Sequence, residues 1–278
     1  MNCTVCAQPL DPVLAPEVTH PSCSADSMWL DQDVPDPFND ILKQKLIRMI
    51  MWAENESPRS KQAEIGPSEV GGGCDRHIAY RLAGVAPVNI GFDPWPAVVG
   101  TAVHAWLETA VRDWCNVHHD DGWRTETTLD IGGIAKGHSD LYHDGTVIDW
   151  KTAGPDVMKK VRADGPPDAY VIQAQVYGLG FEQAGEKVER VALAFLPRAG
   201  WLRDMYVWSA PYSRELAEAA MARVLEIAQV TLDLDVFMNP HRWNQISAEP
   251  SDICGRCPWF NSIVTKEEGA SDRGCPAA

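Results

Sequence analysis

Three strand-like runs, 125–131, 134–142 and 146–152, follow one another between two strongly helical stretches, and they limit what this chain can fold into. Asp144-Gly145, between the second and third runs, is a tight-turn pair that joins them as a hairpin. Upstream, 100–117 predicts a helix with His104, Leu107, Val111 and Trp114 on one face. Downstream, 168–184 reads as helix, 188–196 and 205–208 as strands, and 213–236 as a long amphipathic helix capped by Ser213. That order predicts a mixed sheet flanked by helices, an α/β domain.

The flanks are less regular. A helix is expected over 38–53, where Ile41, Leu42, Lys45, Leu46 and Met49 form a stripe, followed by a polar loop over 54–67. Ser68 is placed to cap a short helix through Cys74 and Arg76 to Leu82, although Gly71-Gly72-Gly73 argues against its continuity. Residues 1–35 are rich in Pro, Cys and Asp and read as a small metal-held module with a linker; 36–278 form the main domain. With 278 residues and 45% hydrophobic content the chain can bury a sizeable core. No apolar run approaches the ~20 residues that span a bilayer. Met1-Asn2-Cys3 opens no basic-then-apolar signal segment, so the expectation is a cytoplasmic protein with no membrane partner.

Net charge is −15, from 24 basic and 39 acidic residues, a field that repels phosphate. Nucleic acid would have to be met by local basic clusters, such as Lys43, Lys45 and Arg48, or Lys159, Lys160 and Arg162. Divalent metals in a carboxylate site would also reverse the sign locally.

The densest chemistry lies in Gly137-His138-Ser139-Asp140 and Val147-Ile148-Asp149-Trp150-Lys151-Thr152. Strand side chains alternate faces, so Asp149 and Lys151 point to one side and Ile148 and Trp150 to the other. The hairpin brings Asp140 beside Asp149. Two adjacent carboxylates repel unless a cation lies between them, so the pair with a nearby lysine makes a cup for a hard divalent ion and a water nucleophile. A lone D-x-K triplet is common by chance, and an edge hairpin with solvated acids would show one too. His104 alone fits a core histidine, and Gln173 and Tyr177, spaced i,i+4, fit an ordinary packed pair.

In this order, Gly100/His104, Gly137/Asp140, Asp149/Lys151/Thr152 and Gln173/Tyr177 resemble the RecB-type branch of the PD-(D/E)XK nucleases, which reads G-x-x-x-H, G-x-x-D, D/E-x-K-T and Q-x-x-x-Y. The resemblance implies a restriction-endonuclease-like fold. It implies that His104, Asp140 and Asp149 hold Mg²⁺ or Mn²⁺, that Lys151 orients the attacking water, and that Gln173 and Tyr177 position DNA. A DNA exonuclease acting on single strands in recombination, replication or end processing, in a bacterium or its phage, follows by the same analogy. The alternatives are a structure-specific endonuclease with the same site and a nuclease-derived binding protein that has lost catalysis.

The cysteines fall in two groups. Cys3 and Cys6 with His20 and Cys23 form a C-x₂-C…H-x₂-C set suited to structural zinc, in a module too short to fold without a staple. The acidic linker that follows points to a structural or partner-binding role. Cys254, Cys257 and Cys275, with Cys74 upstream, resemble the four ligands of the iron–sulfur nucleases, namely AddB nuclease domains and the fourth CRISPR-associated exonuclease family. That implies a 4Fe–4S cluster, although four thiolates also suit zinc. The 17 residues between Cys257 and Cys275 exceed that family's usual gap. Cys115, among apolar helix residues, is expected in the core.

Overall fold

The structure, a computed structural model, describes residues 37–56, 64–89, 93–248, 254–265, 267–271 and 273–276. The expected zinc ligands Cys3, Cys6, His20 and Cys23 lie outside the described residues. The chain divides into two compact units, Met1–Lys61 and Gln62–Ala278. Helix α1 (Pro37–Asn55) is the described part of the first unit.

The second unit opens with two short helices, α2 (Pro67–Val70) and α3 (Asp75–Leu82), where the sequence predicts one. The break has a packing cause. A side chain at Gly71 would put its Cβ 2.2 Å from the carbonyl oxygen of Ala169, so α2 approaches a later helix as closely as only glycine allows. Ser68 lies within α2, and Gly66 takes the cap position.

The long helix α4 (Trp95–His118) leads into β1 (Trp123–Ile131), β2 (Ala135–His143) and β3 (Thr146–Ala153). Asp144 and Gly145 both take positive φ, 42° and 73°, as a two-residue hairpin turn of matching twist requires. Helices α5 (Pro155–Asp164) and α6 (Asp168–Gln183) cross over to β4 (Arg190–Pro197). Strand β5 (Tyr206–Pro211) and helix α7 (Arg214–Asp233) complete the layer; Ser213 caps α7, its hydroxyl accepting from Leu216 N–H at 3.2 Å. The five strands lie in order 1-2-3-4-5, antiparallel except for the β3–β4 pair that the crossover makes parallel. A mixed sheet with flanking helices is therefore observed. Among the described residues no helix is long and apolar enough to cross a membrane.

Helix α6 is the core helix. Ala174, Val176, Leu179 and Phe181 are buried in one cluster with Leu129, Ile131, Val147, Val191, Leu193 and Phe195 of the sheet and Met221, Val224 and Ile227 of α7. Each large apolar side chain removed from water stabilises the fold by roughly 1.5–3 kcal/mol. The tail closes over α3: Tyr80 stacks on Trp243 with ring centroids 4.3 Å apart, and Trp259 donates Nε1–H to the carbonyl of Val85 at 2.8 Å. Cys115 is only partly buried, its thiol 3.8 Å from the carbonyl of Trp123, and not sealed in the core as expected.

Candidate active site

The β2–β3 ladder pairs His143 with Thr146, Tyr142 with Val147 and Leu141 with Ile148, and ends there. The next pair in that register is Asp140 and Asp149. Instead of continuing the backbone ladder, Asp140 accepts the Trp150 N–H on Oδ2 at 2.8 Å. Its other oxygen, Oδ1, lies 3.0 Å from Nδ1 of His104 on α4. The two strands thus part where the two acids meet.

Asp149 is 3% exposed. Its Oδ1 accepts from Gln173 Nε2 at 2.9 Å. Its Oδ2 is 2.7 Å from Lys151 Nζ, in an ion pair that offsets the buried charge. Lys151 donates to Gln173 Oε1 at 2.9 Å, and its ammonium lies 4.5 Å from the ring centroid of Tyr170. One buried amide therefore holds both functional groups of the D-x-K triplet.

Burial raises the Asp149 carboxyl to about 6; Lys151 opposes this and Asp140 adds to it. Burial pulls His104 down, but the hydrogen bond and charge of Asp140, with Asp149 behind it, outweigh this and the net shift is upward. Glu126 was not singled out from the sequence. It lies on β1 in the gap between the Thr125–Leu141 and Thr127–Ser139 pairs, at φ 49°, and burial, Asp140 and Glu108 raise its carboxyl. Tyr170 was also missed, though its i−3 spacing from Gln173 puts it on the same helix face.

The structure brings His104, Asp140, Asp149, Lys151 and Gln173 together. Tyr177 lies one turn further along α6. It is 7% exposed and packs behind β2: a Cβ at Gly137 would sit 3.1 Å from its hydroxyl and 2.8 Å from Pro67 Cδ. That contact also accounts for the glycine of the G-x-x-D motif. Gly100 packs loosely; its nearest would-be contact is Thr152 Oγ1 at 3.8 Å.

The donor set fits a hard divalent cation. It offers a buried carboxylate, a second carboxylate on the adjoining strand, and an imidazole. The acids are already paired with His104 and Lys151, and among the described residues no three His, Cys, Asp or Glu side chains are gathered around a point that one ion could occupy.

The tail brings Cys257 and Cys275 against α3. Cys74 precedes α3; two residues on, Arg76 Nη1 donates to Cys275 Sγ at 3.3 Å, and three residues on, His77 Nδ1 lies 3.4 Å from Cys257 Sγ. Cys257 N–H bonds back to the carbonyl of Cys254 at 2.9 Å, and Cys275 bridges Phe260. Burial raises the Cys257 thiol, but the His77 hydrogen bond brings it below its ordinary value. None of the four is in a disulfide. Arg76 and His77 thus reach two of the four sulfurs, and among the described residues no three of these thiols gather around a point that one metal ion could occupy.

No family model matches the chain, and no curated protein matches it. Among solved structures it is similar to an alkaline exonuclease from Laribacter hongkongensis, with 10% identity and a TM-score of 0.43 over 65% of this chain and 93% of that one. The same enzyme in complex with dAMP gives 12% identity and a TM-score of 0.41, over 64% and 93%. A phage-related exonuclease from Haemophilus somnus 129PT gives 13% and 0.44, over 63% and 96%. At these values the likeness bears on neither residues nor chemistry.

Proposed function

We propose that this chain is a metal-dependent deoxyribonuclease that hydrolyses phosphodiester bonds of single-stranded DNA from an end. One observation carries the reading: the buried Asp149 is ion-paired with Lys151 where the β2–β3 ladder opens at Asp140. His104, Asp140 and Asp149 would hold Mg²⁺ or Mn²⁺, which when bound supplies Lewis-acid polarisation of the scissile phosphate and activation of water. Lys151 contributes a fixed positive charge next to the reacting phosphate, where negative charge grows. Gln173 keeps that ammonium and the Asp149 carboxylate in register. His104 orients Asp140 and leaves its second oxygen to brace the Trp150 backbone.

Cys74, Cys254, Cys257 and Cys275 are proposed to bind a structural 4Fe–4S cluster, with zinc as the alternative for the same thiolates. Cys3, Cys6, His20 and Cys23 are proposed to bind zinc. A binding protein that had lost catalysis would not need to keep Asp149 paired with Lys151.

The test is cleavage of linear and circular single-stranded DNA with Mn²⁺ and with EDTA. Loss of the linear strand only, in Mn²⁺ only, supports an exonuclease. Cutting of the circle makes the same site an endonuclease.

A further inference from the structure

The proposed active site accounts for none of the exposed basic residues around α5. They lie beside a loop that carries an exposed aromatic. Strand β3 ends two residues after Lys151, at Ala153, whose carbonyl accepts the Arg198 N–H at 2.9 Å. Two residues of strand span about 7 Å, so the 198–204 loop begins next to the lysine. Arg162, at the end of α5, donates Nη2–H to the carbonyl of Asp204 and ties helix and loop together. Lys159 precedes Arg162 by three residues and shares its face. Trp201 is 64% exposed at the loop's tip, with the Arg203 guanidinium 5.0 Å from its ring centroid. Lys159, Lys160, Arg162, Arg198 and Arg203 are all exposed. Across α5 and this loop those five cations face three carboxylates, Asp156, Asp164 and Asp204, in a chain with 39 acids to 24 bases.

We propose that Trp201 and its flanking cations are the platform that holds single-stranded DNA as it enters or leaves the catalytic cleft, an inference that rests on the nuclease reading of that cleft. The charge complements phosphate at a point where the rest of the molecule repels it. An exposed indole stacks most readily on an unpaired base, which favours a single strand over a duplex. Protein interfaces are depleted in lysine, so a patch flanked by Lys159 and Lys160 fits a polyanion better than another chain.

The experiment measures binding of a labelled oligothymidylate to the full chain in Ca²⁺, with cleavage by the wild type in Mn²⁺ measured separately. Trp201→Ala should weaken binding roughly tenfold or more, and Trp201→Phe should recover most of it. Arg198→Ala/Arg203→Ala should flatten the log–log salt dependence by about 1.4, since each contact to a single strand contributes about 0.7. Circular dichroism checks that the variants are folded. Unchanged affinity and salt slope in folded variants would overturn the proposal, as would a wild type that does not bind the oligomer. So would a Trp201→Ala chain that binds normally but changes its oligomeric state, which would make the patch a self-interface. A wild type that binds but does not cut would sink the nuclease reading and leave the platform standing.

Discussion

Replacing Gln173 by alanine distinguishes two accounts of this site. The motif resemblance makes Gln173 a DNA contact. In the structure both ends of its amide are used within the protein, by Asp149 and by Lys151, each at 2.9 Å. A hydrogen bond to a charged group is worth about 1.5–3 kcal/mol. The Asp149 bond is fully buried, whereas Lys151 is 17% exposed and can turn part of its donor capacity to water. The expected loss of stability is therefore about 3 kcal/mol, nearer the lower sum of the two bonds. The catalytic effect should resemble that of other residues that orient metal ligands, about 10- to 100-fold, or ~1.4–2.7 kcal/mol of barrier. Denaturant melts give the first quantity. Single-turnover cleavage at saturating DNA and Mn²⁺ gives the second, with the DNA affinity measured alongside. A Gln173→Ala chain with an unchanged single-turnover rate and a tenfold weaker affinity would refute the positioning role and restore the DNA-contact reading.

Two further outcomes concern the buried acid and the tail cysteines. Asp149 is raised in the folded chain from 3.8 to about 6, so the fold holds that proton more tightly than the unfolded chain does. Stability from this group is complete below 3.8 and is lost as pH rises through 6, a total of about 3 kcal/mol. In EDTA, Asp149→Asn should therefore gain on the wild type as pH rises from 4 to 7; a difference flat with pH in denaturant melts would contradict the burial argument. At the tail, anaerobically purified protein should be brown with about four irons per chain, and Cys74→Ser should lose the colour and melt earlier; a colourless wild type holding zinc would assign the four thiolates to that metal instead.

The sheet was legible because its signals are local. Asp144-Gly145 fixes the hairpin, and the period of two then dictates that Asp140 meets Asp149 and that Lys151 shares its side. The cap at Ser213 was legible for the same reason. What escaped was set by contacts between distant segments. Gly71-Gly72-Gly73 already argues against one continuous helix over 68–82, but the close approach of Ala169 to Gly71, which accounts for the break, is not visible within that stretch. Helix α5 carries only two buried residues, Met158 and Val161, too few for a readable stripe. Gln173 and Tyr177 share a helix face, but only the fold shows that one turns to the acids and the other to Gly137. The contacts of Arg76 and His77 at the cysteines belong to the same class.

The central claim is that Asp149 and its neighbours form a cation-dependent hydrolytic site. It is tested most directly by the rate at which linear single-stranded DNA is cut in Mn²⁺ by the wild type and by Asp149→Ala. Removing the buried carboxylate should reduce cleavage to background while the folded chain still binds DNA, and EDTA should silence the wild type reversibly. Cleavage by a pure Asp149→Ala chain at the wild-type rate would contradict the account.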